Sequence, residues 1–136
     1  MAVTPETARY CLAENFADWV QALDLTVERI GPEGAVLTMP IAPKLARVGG
    51  ILSGQALAAM ADTSMVFACA GYLGEFMPVA TTNLDTVFLR PGTGTSVRCE
   101  AEVVRAGKAL IFARATMIAE PSGKPVATAT ATFYLP

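Results

Sequence analysis

One stretch of 27 residues, Val48 to Gly74, carries a single charged side chain, that of Asp62. The stretch is long and apolar enough to cross a membrane, but a carboxylate at its middle would cost about 2.5 to 3.5 kcal/mol there. The alternative for a helix that is apolar on nearly every side is burial inside a protein. We therefore predict a long central helix enclosed by the rest of a soluble fold, with no membrane partner.

The segments on either side of this helix alternate apolar and polar residues with the period of β-strands. Residues 24–30 and 35–41 flank Gly31-Pro32-Glu33-Gly34, a turn sequence that predicts a hairpin. Four further strands are predicted after the helix, in an antiparallel meander, at 81–90, 96–105, 108–119 and 125–135. In the last of these, small apolar residues alternate with threonines, which is typical of a curved sheet packed on a helix.

The N-terminal segment carries a helix-start signal. Thr4 is a suitable N-cap, Pro5 suits the first helical position and Glu6 the first turn, so we predict a helix that runs to about Leu23. The sequence shows neither a linker nor an internal repeat. We expect one domain, residues 1–136, of the α+β class: a long central helix wrapped by a curved antiparallel β-sheet, with an N-terminal helix.

Composition excludes several classes of function. The chain has no histidine, which excludes Ser-His-Asp triads, Cys-His pairs and His-ligated metal sites within one chain. Cys11, Cys69 and Cys99 form no C-x-x-C motif, so we expect buried free thiols in a reducing cytoplasm. A net charge of −2 disfavours nucleic-acid binding. With 53% apolar and only 16% charged residues, part of the surface is expected to be covered by another subunit.

Several short motifs, in order and spacing, resemble one known family. The motifs are Gly49-Gly50-Ile51-Leu52-Ser53-Gly54 leading into Ala61-Asp62-Thr63-Ser64-Met65, then Asp85-Thr86-Val87-Phe88-Leu89-Arg90-Pro91-Gly92, Gly107-Lys108 and the closing Ala129-Thr130-Ala131-Thr132-Phe133. Together with a hairpin, a buried helix and an antiparallel sheet, they resemble the hotdog-fold acyl-CoA thioesterases of the PaaI-like (phenylacetate-degradation) type. The resemblance covers nearly the whole chain.

This resemblance implies hydrolysis of an acyl-CoA thioester to a carboxylic acid and coenzyme A, with no metal or redox cofactor. The family's helical acidic residue falls on Asp62, as nucleophile or general base, and the backbone N–H that polarises the thioester carbonyl falls on Gly54. A helix N-terminus is a physically suitable site for a developing oxyanion. Eight residues of helix rise about 12 Å, however, so one helix cannot place both groups at one carbonyl. A second copy must complete the site, in a dimer or a dimer of dimers.

The chain also departs from the family, which commonly has His-Gly-Gly where this sequence has Ser53-Gly54-Gln55. Ser53 has no base beside it and suits helix capping better than nucleophilic attack, although it could also hold substrate. Gln55 shares a helix face with Asp62 and could hold the thioester oxygen or hydrogen-bond locally. These departures motivate an alternative function, a catalytically weak or inactive hotdog protein that binds acyl-CoA or a related ligand.

The remaining substrate-binding candidates each have a structural alternative. Thr63 could assist Asp62 or bond to the carbonyl four residues earlier. Thr81 and Thr82 lie where the family's strand sometimes supplies a hydroxyl to the attacking water, yet threonine also suits a strand for its own sake. Arg90 and Lys108 lie at loop ends suited to coenzyme A phosphates, or are simply solvated. The core or an acyl pocket is expected to hold Met60, Met65, Phe67 and Met77.

Overall fold

A six-stranded antiparallel sheet curves around one long helix in the computed structural model, which describes residues 2–136. The predicted fold class is confirmed. The helices and strands, in chain order, are α1 (Pro5–Asn15), α2 (Asp18–Gln21), β1 (Thr26–Gly31), β2 (Gly34–Pro40), α3 (Gly54–Leu73), β3 (Ala80–Phe88), β4 (Ser96–Ala106), β5 (Leu110–Glu120) and β6 (Pro125–Tyr134). A short 3-10 helix, Pro43–Leu45, precedes α3.

The strand order corrects the predicted meander. The sheet runs β1-β2-β4-β5-β6-β3, so the hairpin β1–β2 is confirmed and β4, β5 and β6 form a meander, but β3 does not join it. Helix α3 crosses the sheet, so that the chain enters β3 at the far edge, beside β6. Strand β2 therefore pairs with β4. Alternation predicts which face of a strand is buried and not which strand lies beside it. As a result β3 is an edge strand, exposed along most of its length.

The concave face of the sheet is lined with alanines where it meets α3. Ala113 and Ala115 of β5 lie opposite Ala131 and Ala129 of β6, and all four are 3 to 4% exposed. Small side chains leave room for a helix close to the sheet. The predicted small apolar face is therefore buried, although α3 packs most closely on β4 and β2 and less on β5 and β6.

Helix α3 is shorter than the apolar stretch that predicted it. Residues before Ser53 form a loop in which Gly49 and Gly50 have φ of 95° and 74°, values that favour glycine. Ser53 is the N-cap and its hydroxyl oxygen accepts from the N–H of Ala56 at 3.2 Å, while Gly74 ends the helix in the left-handed conformation. The 20 residues of α3 have the length and hydropathy of a membrane span, but 67% of their most apolar window is buried inside the protein.

The N-terminal helix ends earlier than predicted. It stops at Asn15, Phe16 is extended (φ −101°, ψ 151°), and α2 follows as a separate turn of helix, so the prediction of one helix to about Leu23 was wrong. The ring of Phe16 stacks on that of Phe67 in α3, with centroids 5.5 Å apart. The side-chain amide of Gln21 donates to the carbonyls of Ala13 (3.0 Å) and Phe16 (2.9 Å). It thereby provides hydrogen bonds for two carbonyl groups at the end of α1.

The close approach of α3 to the β1–β2 hairpin yields a test. A Cβ on Gly71 would lie well inside van der Waals contact with the backbone of Gly31. Gly71→Ala should therefore lower the free energy of unfolding by about 1 to 3 kcal/mol through overpacking, although alanine is the better helix former.

Urea unfolding followed by circular dichroism measures this difference. The reverse swap at a half-buried position of the same helix, Ala58→Gly, isolates helix propensity and should cost about 0.5 to 1 kcal/mol. A Gly71→Ala protein as stable as the parent, or more stable, would contradict the close contact.

Candidate active site

The carboxylate of Asp62 lies on the side of α3 that the sheet does not cover. Thr81, at the start of β3, donates its hydroxyl hydrogen to Asp62 Oδ1 at 2.9 Å. Partial burial raises the pKa of the Asp62 carboxyl above its ordinary 3.8, because it disfavours the charged form, and the hydrogen bond from Thr81 offsets part of that rise. The arrangement holds one carboxylate in a fixed direction with raised basicity.

A cavity of about 480 Å³ opens beside this carboxylate, with Asp62 and Thr81 on its wall. We call it the acyl cavity, after the group that the sequence resemblance implies. The rest of its lining is largely apolar: Phe16, Val66, Phe67, Phe76, Met77 and Val79. The ring of Phe67 is stacked with that of Phe16 and is also in edge-to-face contact with that of Phe76, with centroids 6.4 Å apart. Such a lining suits an apolar group brought to the carboxylate.

Gly54 lies in a different cavity, of about 380 Å³, at the N-terminus of α3. As the first residue of the helix it has no intrahelical acceptor for its N–H. Arg47 and Arg90 line the same cavity together with the ring of Phe88. A backbone donor, a helix N-terminus and two guanidinium groups together make this the anion-accepting end of α3.

The predicted residues at the start of α3 do not all meet in these cavities. The Ser53 hydroxyl is engaged as the N-cap of α3. Gln55 is exposed and lines neither cavity. Thr63 is 5% exposed and lies on the wall of a smaller cavity of about 110 Å³, to which Asp62 also contributes. Along residues 2–136, the hydrogen bond to the Asp62 side chain comes from Thr81 and not from Thr63.

The predicted residues outside α3 are separated as well. A register shift between Thr81 and Asn83 divides the two adjacent threonines: Thr81 reaches Asp62, whereas Thr82 donates to the carbonyl of Thr132 at 3.0 Å. Arg90 lies in the Gly54 cavity. Lys108 lies in the turn between β4 and β5 and lines neither cavity. Within one chain, the structure therefore joins Asp62 to Thr81 and Gly54 to Arg90.

Sequence reasoning missed several lining residues. Phe16 was missed because the first helix was predicted to continue through it. Phe76 was missed because it lies in a loop. Arg47 could have been found, because it is a basic residue shortly before a helix N-terminus. Another cavity of about 490 Å³ lies between β2, β4 and β5, and the predicted site residues do not line it.

The free thiols differ in their surroundings. Burial raises the pKa of Cys69 and of Cys99 to about 12, so both stay protonated at neutral pH. Cys11 is only half-buried and contributes to the wall of the acyl cavity, so the expectation that all three cysteines are buried was wrong for Cys11.

The curved antiparallel sheet around one long helix is the hotdog fold of thioesterase-superfamily structures. The family model described as acyl-CoA thioesterase N-terminal domain matches residues 43–134, and the chain belongs to this family. It is a thioester hydrolase.

Known proteins similar to this chain agree with that assignment. A protein of Thermoplasma acidophilum, named as an esterase, is 26% identical over 118 residues, 86% of this chain and 87% of that protein. A thioesterase family protein from Silicibacter pomeroyi is 27% identical, with a TM-score of 0.83 over 95% of both chains. The PaaI protein of the E. coli phenylacetic acid degradation operon shares the fold, with a TM-score of 0.82, 20% identity and coverage of 97% of this chain and 93% of its own.

Because the pKa of Asp62 is raised, replacing its carboxyl group with a neutral amide should stabilise the protein, and the gain should depend on pH. A carboxyl whose pKa is raised on folding contributes stability below its unfolded pKa, near 3.8, and loses that contribution as the pH rises through the folded value. Asp62→Asn keeps an acceptor for Thr81 without the charge. It should therefore melt at a higher temperature than the parent at pH 7, and at a similar temperature below about pH 4.

Thermal melts across this pH range measure the gap. Asp18→Asn serves as the control, because Asp18 is exposed and loses little solvation on folding. A gap at pH 7 that is absent, or of opposite sign, would show that the Asp62 carboxylate is compensated in the folded protein.

Proposed function

We propose that residues 1–136 act as a single-domain acyl-CoA thioesterase, which converts an acyl-CoA and water into a carboxylic acid and coenzyme A. The observation that carries the proposal is the Asp62 carboxylate, held by Thr81 at 2.9 Å on the wall of an apolar cavity. The cavity takes the acyl group, and the carboxylate lies at the point where the polar thioester must stop.

The reaction follows one of two routes. As a general base, Asp62 accepts a proton from water while the water oxygen attacks the thioester carbonyl carbon, and coenzyme A leaves as a thiolate that is then protonated. As a nucleophile, Asp62 forms an acyl anhydride with release of coenzyme A, and water then hydrolyses the anhydride. Both routes build negative charge on the carbonyl oxygen, which needs a hydrogen-bond donor.

That donor is the N–H of Gly54 of the partner subunit in a homodimer, which can pair further into a tetramer. The exposed edge strand β3 supports this arrangement, because an unpaired edge readily takes a second strand. Antiparallel pairing of two β3 strands sets the Thr81 end of one beside the Phe88 end of the other. Thr81 lines the acyl cavity and Phe88 lines the Gly54 cavity, so pairing brings the two half-sites together.

The same pairing supports the basic residues as contacts for the coenzyme A phosphates. Arg90 follows the last residue of β3. Lys108 lies near the other end of β3, because it precedes β5, and the first residue of β5 and the first residue of β3 both pair with Tyr134. The two cations are far apart in one chain. In an antiparallel dimer, Lys108 of one subunit lies toward the end of the assembly that holds Arg90 of the other. Arg47 adds a third cation there.

Ser53 and Gln55 support the alternative function. The Ser53 hydroxyl is engaged in capping and Gln55 lines neither cavity of the single chain, so within one chain neither side chain replaces the family's histidine. On this alternative the protein binds acyl-CoA or a related ligand with weak turnover or none. For either function we propose a cytoplasmic location, which suits three free cysteines.

Removal of the carboxylate tests the proposed chemistry. Asp62→Asn should leave the fold intact and lower kcat by at least about 100-fold, since removal of a base or nucleophile typically costs that much. Release of the coenzyme A thiol from short, aryl and long acyl-CoAs, followed with a thiol reagent, measures the rate.

Asp18→Asn, an exposed carboxylate outside the acyl cavity, should keep the parental rate. A parental rate in Asp62→Asn would overturn the role of Asp62. Tight binding of acyl-CoA by the parent without thiol release would establish the alternative function.

A further inference from the structure

We propose that Phe16 determines the length of the acyl group that the protein accepts, because it is the residue outside α3 that lines both the acyl cavity and a second cavity. This inference rests on the proposed thioesterase function and concerns the same site. The second cavity, of about 110 Å³, is lined by Phe16, Trp19, Val20, Ala59, Asp62, Thr63 and Val66. We call it the rear cavity.

The two cavities meet along one short boundary. Phe16, Asp62 and Val66 line both of them. Asp62 and Val66 are four residues apart on α3 and form one wall, so Phe16 is the shared residue that comes from outside the helix. Its ring stacks on that of Phe67, which lines the acyl cavity, at a centroid distance of 5.5 Å.

The backbone holds the ring in that position. Phe16 is the extended residue between α1 and α2, and the carbonyls of Ala13 and Phe16 both accept from the side-chain amide of Gln21. The break in the N-terminal helix therefore places an aromatic side chain where a continuous helix would have directed it elsewhere. Gln21 is a positioning residue for the partition.

The rear cavity has the chemistry of an extension of the acyl cavity. Apart from Asp62 and Thr63, its lining is apolar. An acyl chain that lies along Val66 in the acyl cavity meets the ring of Phe16 before it can enter this space. Each additional methylene that leaves water should raise affinity about four-fold as long as space remains, and the gain should stop where the ring stands.

The experiment is a chain-length series of straight saturated acyl-CoAs, from C4 to C16, with kcat/KM measured for the parent and three variants. Phe16→Ala and Phe16→Leu remove part or all of the ring and should move the optimum at least two carbons toward longer chains, with about four-fold gained per added methylene. Phe16→Trp enlarges the partition and should move the optimum toward shorter chains. Should Phe16→Ala fail to fold, the leucine and tryptophan variants still predict opposite shifts.

Phe112→Leu is the matched control, since Phe112 lies on β5 and lines neither the acyl cavity nor the rear cavity. It should leave the chain-length optimum where the parent has it. The same optimum in the parent and in all Phe16 variants would overturn the partition, as would equal shifts from Phe112→Leu and Phe16→Leu.

A binding series separates this inference from the proposed function. Calorimetric titration with non-hydrolysable thioether analogues of the same acyl-CoAs should show the same shift in chain-length optimum. Shifted binding without turnover in any protein would contradict the proposed thioesterase activity and support the partition. Turnover with an unshifted optimum would contradict the partition alone, and a complete lack of binding would overturn both.

Discussion

The packing of α3 across the concave face of the sheet, most closely over β4 and β2 and then over β5, controls both the fold and the site. The sheet buries most of α3, and a stripe with Ala59, Asp62 and Val66 is left only partly covered. The N-terminal segment lies over that stripe, with Phe16 and Val20 against it. The one charge of an apolar helix therefore lies at the boundary between core and cavity.

That position makes stability and reactivity opposing requirements. A carboxylate half removed from water is a stronger base than a solvated one, and for the same reason its ionised form is unfavourable in the folded protein. Thr81 supplies the hydrogen bond that keeps the group oriented. Active sites commonly hold destabilised groups of this kind, supported by the surrounding structure.

Sequence reasoning identified the features that depend on local pattern and missed those that depend on long-range contacts. One uninterrupted apolar stretch predicted α3, and a Gly-Pro-Glu-Gly turn predicted the β1–β2 hairpin. The place of β3 beside β6 depends on where α3 ends relative to the sheet. The end of α1 depends on a stack between Phe16 and Phe67, which are 51 positions apart in sequence. Thr81 and Thr82 could not be told apart in advance, since a bulge decides which of them reaches Asp62.

The central claim is that each site combines Asp62 of one subunit with the N–H of Gly54 of the other, and subunit complementation tests it most directly. Gly54→Pro removes that N–H at the first helical position, where proline is tolerated, and Ser53 already has an extended backbone. Homodimers of Gly54→Pro and of Asp62→Asn should each be inactive. Once subunits exchange at a one-to-one ratio, verified by co-purification of a tagged subunit, about one quarter of the parental activity should return, because each mixed dimer of a two-fold assembly holds one intact site. A mixture that stays inactive after full exchange would contradict the shared site.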